Sequence, residues 1–174
     1  MTYKQPPVSN GISRVAHVTI NAPLPDIFKY ITGIDTLPRF LKKCGPIAGV
    51  EKAVMHQGIW TKAGDWRTLY FTDGTTLREQ MYSFYPQEYF SYSISEFTNF
   101  VKYIATIAYG EWWFEKRGDG YLVTWKYSFN PTFTLAKPFL FLFMAFVFNK
   151  YLNQTLEFAK ADIELQYATQ QTAR

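Results

Sequence analysis

Residues 104–129 have the sequence IATIAYGEWWFEKRGDGYLVTWKYSF, in which apolar and polar side chains alternate on both sides of Asp119-Gly120. Alternation with a period of two is typical of strands with one buried face. Asp-Gly between two such segments is a strong signal for a tight hairpin turn. The pattern therefore predicts two antiparallel strands, over 104–116 and 121–129.

The same alternation extends towards the N-terminus, where Asp73-Gly74 and Tyr85-Pro86 are further turn signals. Because strands joined by short hairpins are antiparallel, we expect a meander rather than a parallel sheet. The remaining strands are predicted over 13–20, 47–55, 65–72, 75–84 and 88–96.

Two short helices are predicted between the first and second strands. One begins at Pro25-Asp26, since proline suits a first turn and an acidic residue favours the helix N-terminus, and it ends at Gly33. The other covers Thr36 to Lys43.

A long helix is predicted after the meander, from Thr134 to about Tyr167, where apolar residues follow helical spacing. A sheet must bury one face against another element, and only this helix is large enough to cover it. The predicted class is therefore α+β, a seven-stranded antiparallel sheet against a long C-terminal helix. At 174 residues, the chain is expected to form a single domain over 1–174 with its core at about 12–166.

The composition excludes several classes of protein. Aromatic residues make up 20% of the chain and charged residues only 18%, so the chain is not intrinsically disordered. Cys44 is the only cysteine, which excludes a disulfide framework and a cysteine-rich zinc site. His17 and His56 are far apart with no clustered acid, so we expect no metal, and no cofactor motif is present.

The charge and the apolar runs bear on partners and location. The net charge is +4, but no run of lysine or arginine occurs, so we expect a solvated surface and no nucleic-acid partner. The opening residues contain no apolar segment typical of a signal peptide. The longest apolar run, Phe139 to Phe148, has ten residues, whereas a membrane span needs about 20. These features predict a soluble, cytoplasmic protein.

Short motifs spread over the chain resemble those of one superfamily. They are Ile20-Asn21-Ala22-Pro23 with Asp26-Ile27-Phe28, the segment 37–41, the segment 77–92, and Gly118-Asp119-Gly120 with Val123-Thr124-Trp125. In this order they resemble the START-like, Bet v 1-type (SRPBCC) superfamily, and in particular its polyketide cyclase/dehydrase and lipid transport group. The resemblance covers about residues 12–166. It implies a helix-grip fold with an internal cavity that holds sterols, lipids, quinones or polyketides, and in some members catalysis of cyclisation or dehydration.

Strand alternation assigns side chains to the two faces of the sheet. Glu111 and Glu115 share a face with Trp113, and since charged side chains are rarely buried we expect that face outside. The opposite face and part of the long helix would then line the cavity. The predicted ligand-binding residues are Phe90, Tyr92, Met81, Trp112, Phe114, Trp125, Tyr127, Leu142, Phe146 and Asn149.

Catalytic candidates lie in the strand over 75–84, whose two faces are about equally apolar. Either Glu79 or Arg78 must face inward, and a buried charge there needs a partner. An inward Glu79 would have a raised pKa and is a candidate general acid, whereas an outward Glu79 is a solvated partner of a basic residue. Tyr127 and Tyr92 are the candidate hydrogen-bond donors beside it.

The run Phe139 to Phe148 is apolar all round and has three interpretations. It lines the cavity, it forms a homodimer contact, or it touches a membrane transiently with the help of the positive charge. The function predicted from the whole sequence is binding of a hydrophobic or aromatic small molecule. The alternatives are a cyclase or dehydratase acting on such a ligand, and a membrane or protein interaction module.

Overall fold

A computed structural model describes residues 3–7 and 11–172 and contains one seven-stranded antiparallel sheet. The spatial order is β1-β7-β6-β5-β4-β3-β2, so every consecutive pair from β2 to β7 is a hairpin and β1 closes onto β7. This confirms the predicted fold class and meander. The strands are β1 (Ile12–Ile20), β2 (Val50–Gln57), β3 (Trp66–Phe71), β4 (Thr76–Tyr85), β5 (Tyr89–Ser95), β6 (Ala105–Arg117) and β7 (Gly120–Pro131).

The helices join and cover the sheet. The two edge strands, β1 and β2, are connected through α1 (Leu24–Thr32) and α2 (Leu37–Phe40). A short 3-10 turn, Phe100–Tyr103, precedes β6. The C-terminal helix, Thr134–Thr172, packs against β1, α1 and α2, so the curved sheet grips it as in a helix-grip fold.

The C-terminal helix is not regular throughout. A 3-10 turn, Thr134–Ala136, and an α-helical segment, Lys137–Leu142, precede a π-helical segment, Phe143–Phe148, and regular α-helix resumes over Asn149–Thr172. A π-helix has i→i+5 hydrogen bonds, so its wider turns rotate each side chain less than an α-helix does. The side chains before and after the π segment therefore differ in phase from a regular helix.

The C-terminal helix as a whole is more apolar than its ten-residue apolar run indicates. The helix is long and apolar enough to cross a membrane by length and composition. Only 39% of its most apolar stretch is buried in the fold. A core helix of a soluble protein can meet the same criterion, but a core helix is mostly buried, and this stretch is not.

Asp162 fastens the second half of the C-terminal helix to the short helices. Its Oδ1 lies 2.6 Å from Nη2 of Arg39 in α2, and its Oδ2 accepts a hydrogen bond of 2.5 Å from the Tyr30 hydroxyl in α1. These hydrogen bonds and the Arg39 charge lower the pKa of the Asp162 carboxyl, although partial burial opposes them. The interaction holds α1 and α2 against the C-terminal helix.

The outer face of the sheet is more buried than its charges predict. Glu111 lies opposite the inward Trp112, as predicted, but its exposed fraction is only 1%. Its Oε1 accepts a hydrogen bond of 3.0 Å from the Tyr89 hydroxyl, and its Oε2 lies 2.9 Å from Nζ of Lys126. Tyr3 stacks on the Tyr89 ring at 4.7 Å, so the N-terminal residues cover this part of the outer face. Glu111 therefore lies on the outer face, as predicted, but is covered there.

Replacing Glu111 tests whether this buried pair stabilises the sheet. Glu111→Ala removes the acceptor of both Tyr89 and Lys126, and we expect a loss of about 1–3 kcal/mol in the free energy of unfolding. Glu111→Gln keeps an acceptor for Tyr89 and should lose less. Urea denaturation measures both, and equal stability of Glu111→Ala and the wild type would contradict a structural role. Glu115→Ala, at an exposed position of the same strand face, is the matched control.

Candidate functional site

A cavity lies between the inner face of the sheet, the short helices and the C-terminal helix. The volume of this cavity is about 100 Å³. Most of its wall is apolar or aromatic. Concave apolar sites with a few polar groups are typical of small-molecule binding.

The cavity opens at one end of the fold. The more exposed wall residues come from three connections, namely the segment after α2, the β3–β4 turn and the segment before β6. Since the inner wall residues are buried, we place the mouth at these connections. The segment before β6 contacts the C-terminal helix there, with the Phe100 ring 5.2 Å from that of Phe143. Representative residues of the mouth are Pro46, Asp73, Phe97, Asn99 and Phe100.

Five of the predicted ligand-binding residues line this cavity, and two others on the sheet do not. Met81 and Phe114 are buried, at 2% and 7% exposure, but belong to the surrounding core rather than to the wall. The Phe114 ring lies 5.2 Å from that of Phe28, which fills the space in front of it. The five wall residues are Phe90, Tyr92, Trp112, Trp125 and Tyr127.

The helix residues predicted for the wall are wrong. Leu142 and Phe146 point outward, with exposed fractions of 51% and 75%, and Asn149 is half-buried but not part of the wall. The physical reason is the π-helical segment, which shifts the phase of the side chains between Leu142 and the buried Leu156. Phe143, Phe148 and Tyr151 line the cavity in their place.

Glu79 and Arg78 face opposite sides of the sheet. Arg78 points outward, where Nη1 lies 3.1 Å from Oε1 of Glu96 and its guanidinium carbon 4.3 Å from the centre of the Trp66 ring. Glu79 points inward and lines the cavity. The alternative left open by the sequence is thereby resolved in favour of an inward Glu79.

A basic partner meets Glu79 inside the cavity. Arg67 is its cross-strand neighbour on β3, and both Nε and Nη2 of Arg67 lie 2.7 Å from Glu79 Oε2. Each side chain is only 4% exposed. Burial raises the pKa of the Glu79 carboxyl, and the Arg67 charge and hydrogen bond offset part of that rise.

Free hydrogen-bond donors remain in the cavity wall. Nη1 of Arg67 and Nε1 of Trp125 are buried and have no hydrogen-bond partner within the described part of the chain. Buried polar groups are ordinarily hydrogen-bonded, so two free donors in one apolar wall are unusual. They are suited to an acceptor oxygen of a bound molecule.

Two phenols and an indole form a separate hydrogen-bonded group in the same wall. The Tyr92 hydroxyl lies 3.4 Å from the Tyr127 hydroxyl and 3.4 Å from Nε1 of Trp112. Burial raises the pKa of Tyr92, Tyr127 and the nearby Tyr151, and the Glu79 charge raises each of them further. These phenols therefore stay neutral at physiological pH and can donate hydrogen bonds, whereas none is suited to act as a phenolate base.

The loop between β2 and β3 packs against the Arg67 guanidinium through Trp60. Trp60 is 3% exposed and its ring centre lies 3.8 Å from the Arg67 guanidinium carbon, a close cation–π contact. Trp60 has a positive φ of 64°, a conformation that costs a non-glycine residue free energy. The loop must therefore be fixed by other contacts.

Asp65 supplies those contacts. It is fully buried, and Oδ2 accepts hydrogen bonds from the backbone N–H groups of Ile59, Thr61 and Lys62 at 3.3, 2.9 and 3.3 Å. These backbone hydrogen bonds hold the pKa of the Asp65 carboxyl below its ordinary value, against the effect of burial. Gly58 packs directly against the carboxylate, where a side chain would collide with it.

A glycine also shapes the wall itself. Gly110 on β6 is the cross-strand neighbour of Tyr92, and the Tyr92 ring lies across it where a Cβ atom would be. Because Gly110 has no side chain, the Tyr92 hydroxyl can reach Tyr127 and Trp112.

Arg67, Trp60 and Asp65 were not identified from the sequence. Arg67 alternates with Leu69 and Phe71, which are both buried, so the alternation of β3 contained a signal for its inward position. An inward Glu79 also requires a basic partner, which is a second indication that Arg67 faces inward. Trp60 and Asp65 lie in a loop without periodicity, and no local pattern indicates their contacts.

Within residues 3–7 and 11–172, no group of three or more His, Cys, Asp and Glu side chains is arranged to hold a metal ion. Asp73, Thr75 and Asn99 supply polar groups near the mouth, and the buried inner wall carries one ion pair, phenols and indoles. This set is suited to an organic molecule that carries oxygen.

The chain belongs to the polyketide cyclase / dehydrase and lipid transport family, whose sequence model matches residues 12–164. The predicted resemblance to the Bet v 1-type (SRPBCC) superfamily is thereby confirmed. No functionally curated protein matches the chain significantly.

Solved structures share its fold at low sequence identity. Protein XoxI from Bacillus cereus is 17% identical, with a TM-score of 0.64 over 87% of this chain and 94% of its own. Ara h 8.0201 is 12% identical, with a TM-score of 0.63 over 88% and 98%. The major latex-like protein 151 of Panax ginseng is 16% identical, with a TM-score of 0.59 over 90% and 97%. At such identities the likeness establishes the fold alone.

Asp65→Asn tests the loop that holds Arg67. The amide lacks the charge that accepts three N–H groups, so we expect a loss of about 1–3 kcal/mol in the free energy of unfolding at neutral pH. Since the folded-state pKa of Asp65 lies below its unfolded value, its contribution is complete above about pH 4 and is lost as the pH falls through the folded-state pKa.

The wild type should therefore lose stability in acid more steeply than the variant. Thermal unfolding between neutral pH and about pH 3 measures both curves. Parallel curves would show that Asp65 does not contribute in this way. The exposed Asp35→Asn is the matched control.

Proposed function

We propose that the protein binds a hydrophobic small molecule that carries an acceptor oxygen, such as a lipid, a quinone or a polyketide-like compound, in its internal cavity. The observation that carries the proposal is the pair of free donors, Arg67 Nη1 and Trp125 Nε1, in an otherwise apolar wall. The aromatic wall supplies apolar contact area. The donors supply orientation. Membership of a family described by cyclase, dehydrase and lipid transport activities agrees with such a ligand.

The ion pair also indicates the charge of the ligand. Arg67 and Glu79 neutralise each other, so the cavity wall carries no net charge from this pair. A neutral carbonyl or hydroxyl oxygen can accept from Arg67 Nη1 without displacing Glu79. A carboxylate would compete with Glu79 for the same guanidinium.

Replacing the ion pair by apolar residues tests the role of the donor. In the double variant Arg67→Met with Glu79→Leu both charges are removed together, so neither is left buried and unpaired, and the fold should be retained. Naphthol, which carries an oxygen, and naphthalene, which does not, are compared by displacement of the dye anilinonaphthalene sulfonate. We expect naphthol to bind about tenfold or more weakly to the variant, because a hydrogen bond to a charged group is lost.

Naphthalene binding should be unchanged in the same variant. The matched control is Arg78→Met with Glu96→Leu, which removes a similar ion pair from the outside of the sheet. Equal loss of both ligands, or no loss of naphthol, would contradict the proposed anchoring role of Arg67. Native mass spectrometry of the purified protein then identifies the compound that co-purifies with it.

A second candidate function is acid–base catalysis on the bound ligand, favoured by the buried Glu79 carboxyl beside two neutral phenols. Burial raises the pKa of the Glu79 carboxyl, and carboxyls with a pKa raised in this way serve as general acids and bases in enzymes. In a poly-β-ketone, Glu79 would take the proton from a carbon between two carbonyls. Tyr127 and Tyr92 would donate hydrogen bonds to the oxygen on which charge develops. Such a step begins an intramolecular cyclisation.

Single substitutions separate catalysis from binding. If the protein catalyses this step, Glu79→Gln and Tyr127→Phe should lower the rate of cyclisation of a poly-β-ketone thioester by about 100-fold or more, because the proton acceptor or donor is lost. Dye binding should persist in Tyr127→Phe. Glu79→Gln removes the charge that pairs with the buried Arg67, so its folding is checked by thermal unfolding before its rate is compared. The reaction is followed by the absorbance of the aromatic product. Tyr109→Phe, on the outer face of the sheet, is the control, and full rates in both site variants would exclude these two residues as catalytic groups.

A further inference from the structure

An apolar stripe faces solvent along the first half of the C-terminal helix. Leu135, Phe139, Leu142 and Phe146 recur at spacings of 4, 3 and 4 and are 78%, 67%, 51% and 75% exposed. Phe141, at 52%, lies beside them. We call these five residues the phenylalanine face. Contiguous apolar patches of this kind on a soluble domain ordinarily mark an interaction surface.

The patch continues to the mouth of the cavity. The 3-10 turn Phe100–Tyr103 adds Phe100 and Tyr103, which are 43% and 66% exposed. The Phe100 ring lies 5.2 Å from that of Phe143, and both residues line the cavity. The phenylalanine face, the turn and the mouth therefore form one continuous surface.

The charges along the phenylalanine face and the 3-10 turn have one sign, whereas the mouth also carries Asp73 on the β3–β4 turn. No Asp or Glu occurs between Asp119 and Glu157, and none occurs between Glu96 and Glu111. Lys102 on the turn, with Lys137 and Lys150 on the helix, lie within these segments. Further along the face, the guanidinium carbon of Arg14 lies 5.3 Å from the centre of the Phe141 ring. An apolar stripe bordered by cations and free of acids is complementary to an anionic lipid surface.

We propose that this surface docks on an anionic lipid bilayer, with the phenylalanine face inserted among the lipids and the cavity mouth towards them. The docking itself is independent of the ligand. Its use for moving a hydrophobic molecule between bilayer and cavity rests on the proposed function.

A second copy of the chain fits the surface less well than a bilayer does. A two-fold contact brings the same patch of both copies together. Lys102, Lys137 and Lys150 would then face one another with no acid in the same segments to pair them, and like charges across an interface are unfavourable. The headgroups of an anionic bilayer supply the opposite charge.

Flotation with vesicles tests the proposal. The full chain is mixed with vesicles of phosphatidylglycerol and phosphatidylcholine in equal parts, or of phosphatidylcholine alone, and the bound fraction is measured. We expect binding to the anionic vesicles that weakens with added salt, and little binding to the neutral ones. Phe139→Ser with Phe146→Ser should weaken the partition by about tenfold or more, since two buried aromatic side chains are lost.

Matched variants control for the number and kind of changes. Ile59→Ser with Leu165→Ser removes two apolar residues, 78% and 66% exposed, that lie outside the surface, and should bind as the wild type does. Lys102→Gln with Lys150→Gln should weaken binding by about tenfold. Lys29→Gln with Lys62→Gln, at exposed positions elsewhere, should leave binding unchanged.

Three results would overturn the proposal. They are equal binding of both double-serine variants, equal binding to neutral and anionic vesicles, and a concentration-dependent dimer that Phe139→Ser with Phe146→Ser abolishes. Dye displacement by naphthol in the same variant keeps the two proposals apart. Normal displacement with lost flotation supports docking alone. If Arg67→Met with Glu79→Leu binds naphthol weakly but still floats with anionic vesicles, the result supports the role of Arg67 in the cavity and shows that docking does not depend on it.

Discussion

The buried ion pair between Arg67 and Glu79 is the interaction on which the site depends. Two charges that are each 4% exposed cost several kcal/mol to remove from water, and the cost is offset only if they remain in contact. The register of β3 against β4 places them opposite each other, and Trp60 covers the guanidinium from behind. Asp65 in turn holds the loop that carries Trp60. The position of the ion pair in the cavity therefore depends on Trp60 and Asp65, which lie outside the cavity wall.

The C-terminal helix has two opposite functions in one segment. Its inner face, with Phe143, Phe148 and Tyr151, closes the cavity, whereas its outer face carries exposed phenylalanines. A regular α-helix of the same sequence would place Leu142 in phase with the buried Leu156. The π-helical turns over Phe143–Phe148 remove that phase relation. The aromatic residues of this helix therefore lie partly in the cavity wall and partly on the solvent-exposed phenylalanine face.

Features that a local pattern of residues determines were predicted from the sequence, and features that depend on distant contacts were not. Alternation and turn signals predicted all seven strands and the antiparallel meander, because strand periodicity is local. The pairing of β1 with β7 was not predicted. The inward side of β5, β6 and β7 was predicted from the same alternation. In β4 the two faces were equally apolar, so Glu79 and Arg78 could not be separated. The burial of Glu111 was not predicted, because Tyr89, which donates a hydrogen bond to it, and Tyr3, which stacks on Tyr89, are remote in sequence.

Local pattern was thus sufficient for the elements, their order and the apolar character of the inner face, since each depends on neighbouring residues. The tertiary structure was needed for three other features: the choice of Glu79 over Arg78, its pairing with Arg67, and the rotation of Leu142 and Phe146 towards solvent. Each of these depends on which distant side chain offsets a buried charge, or on how a helix adjusts its turns to pack against a curved sheet. Those free energies belong to contacts between elements, and no single segment of the sequence contains them.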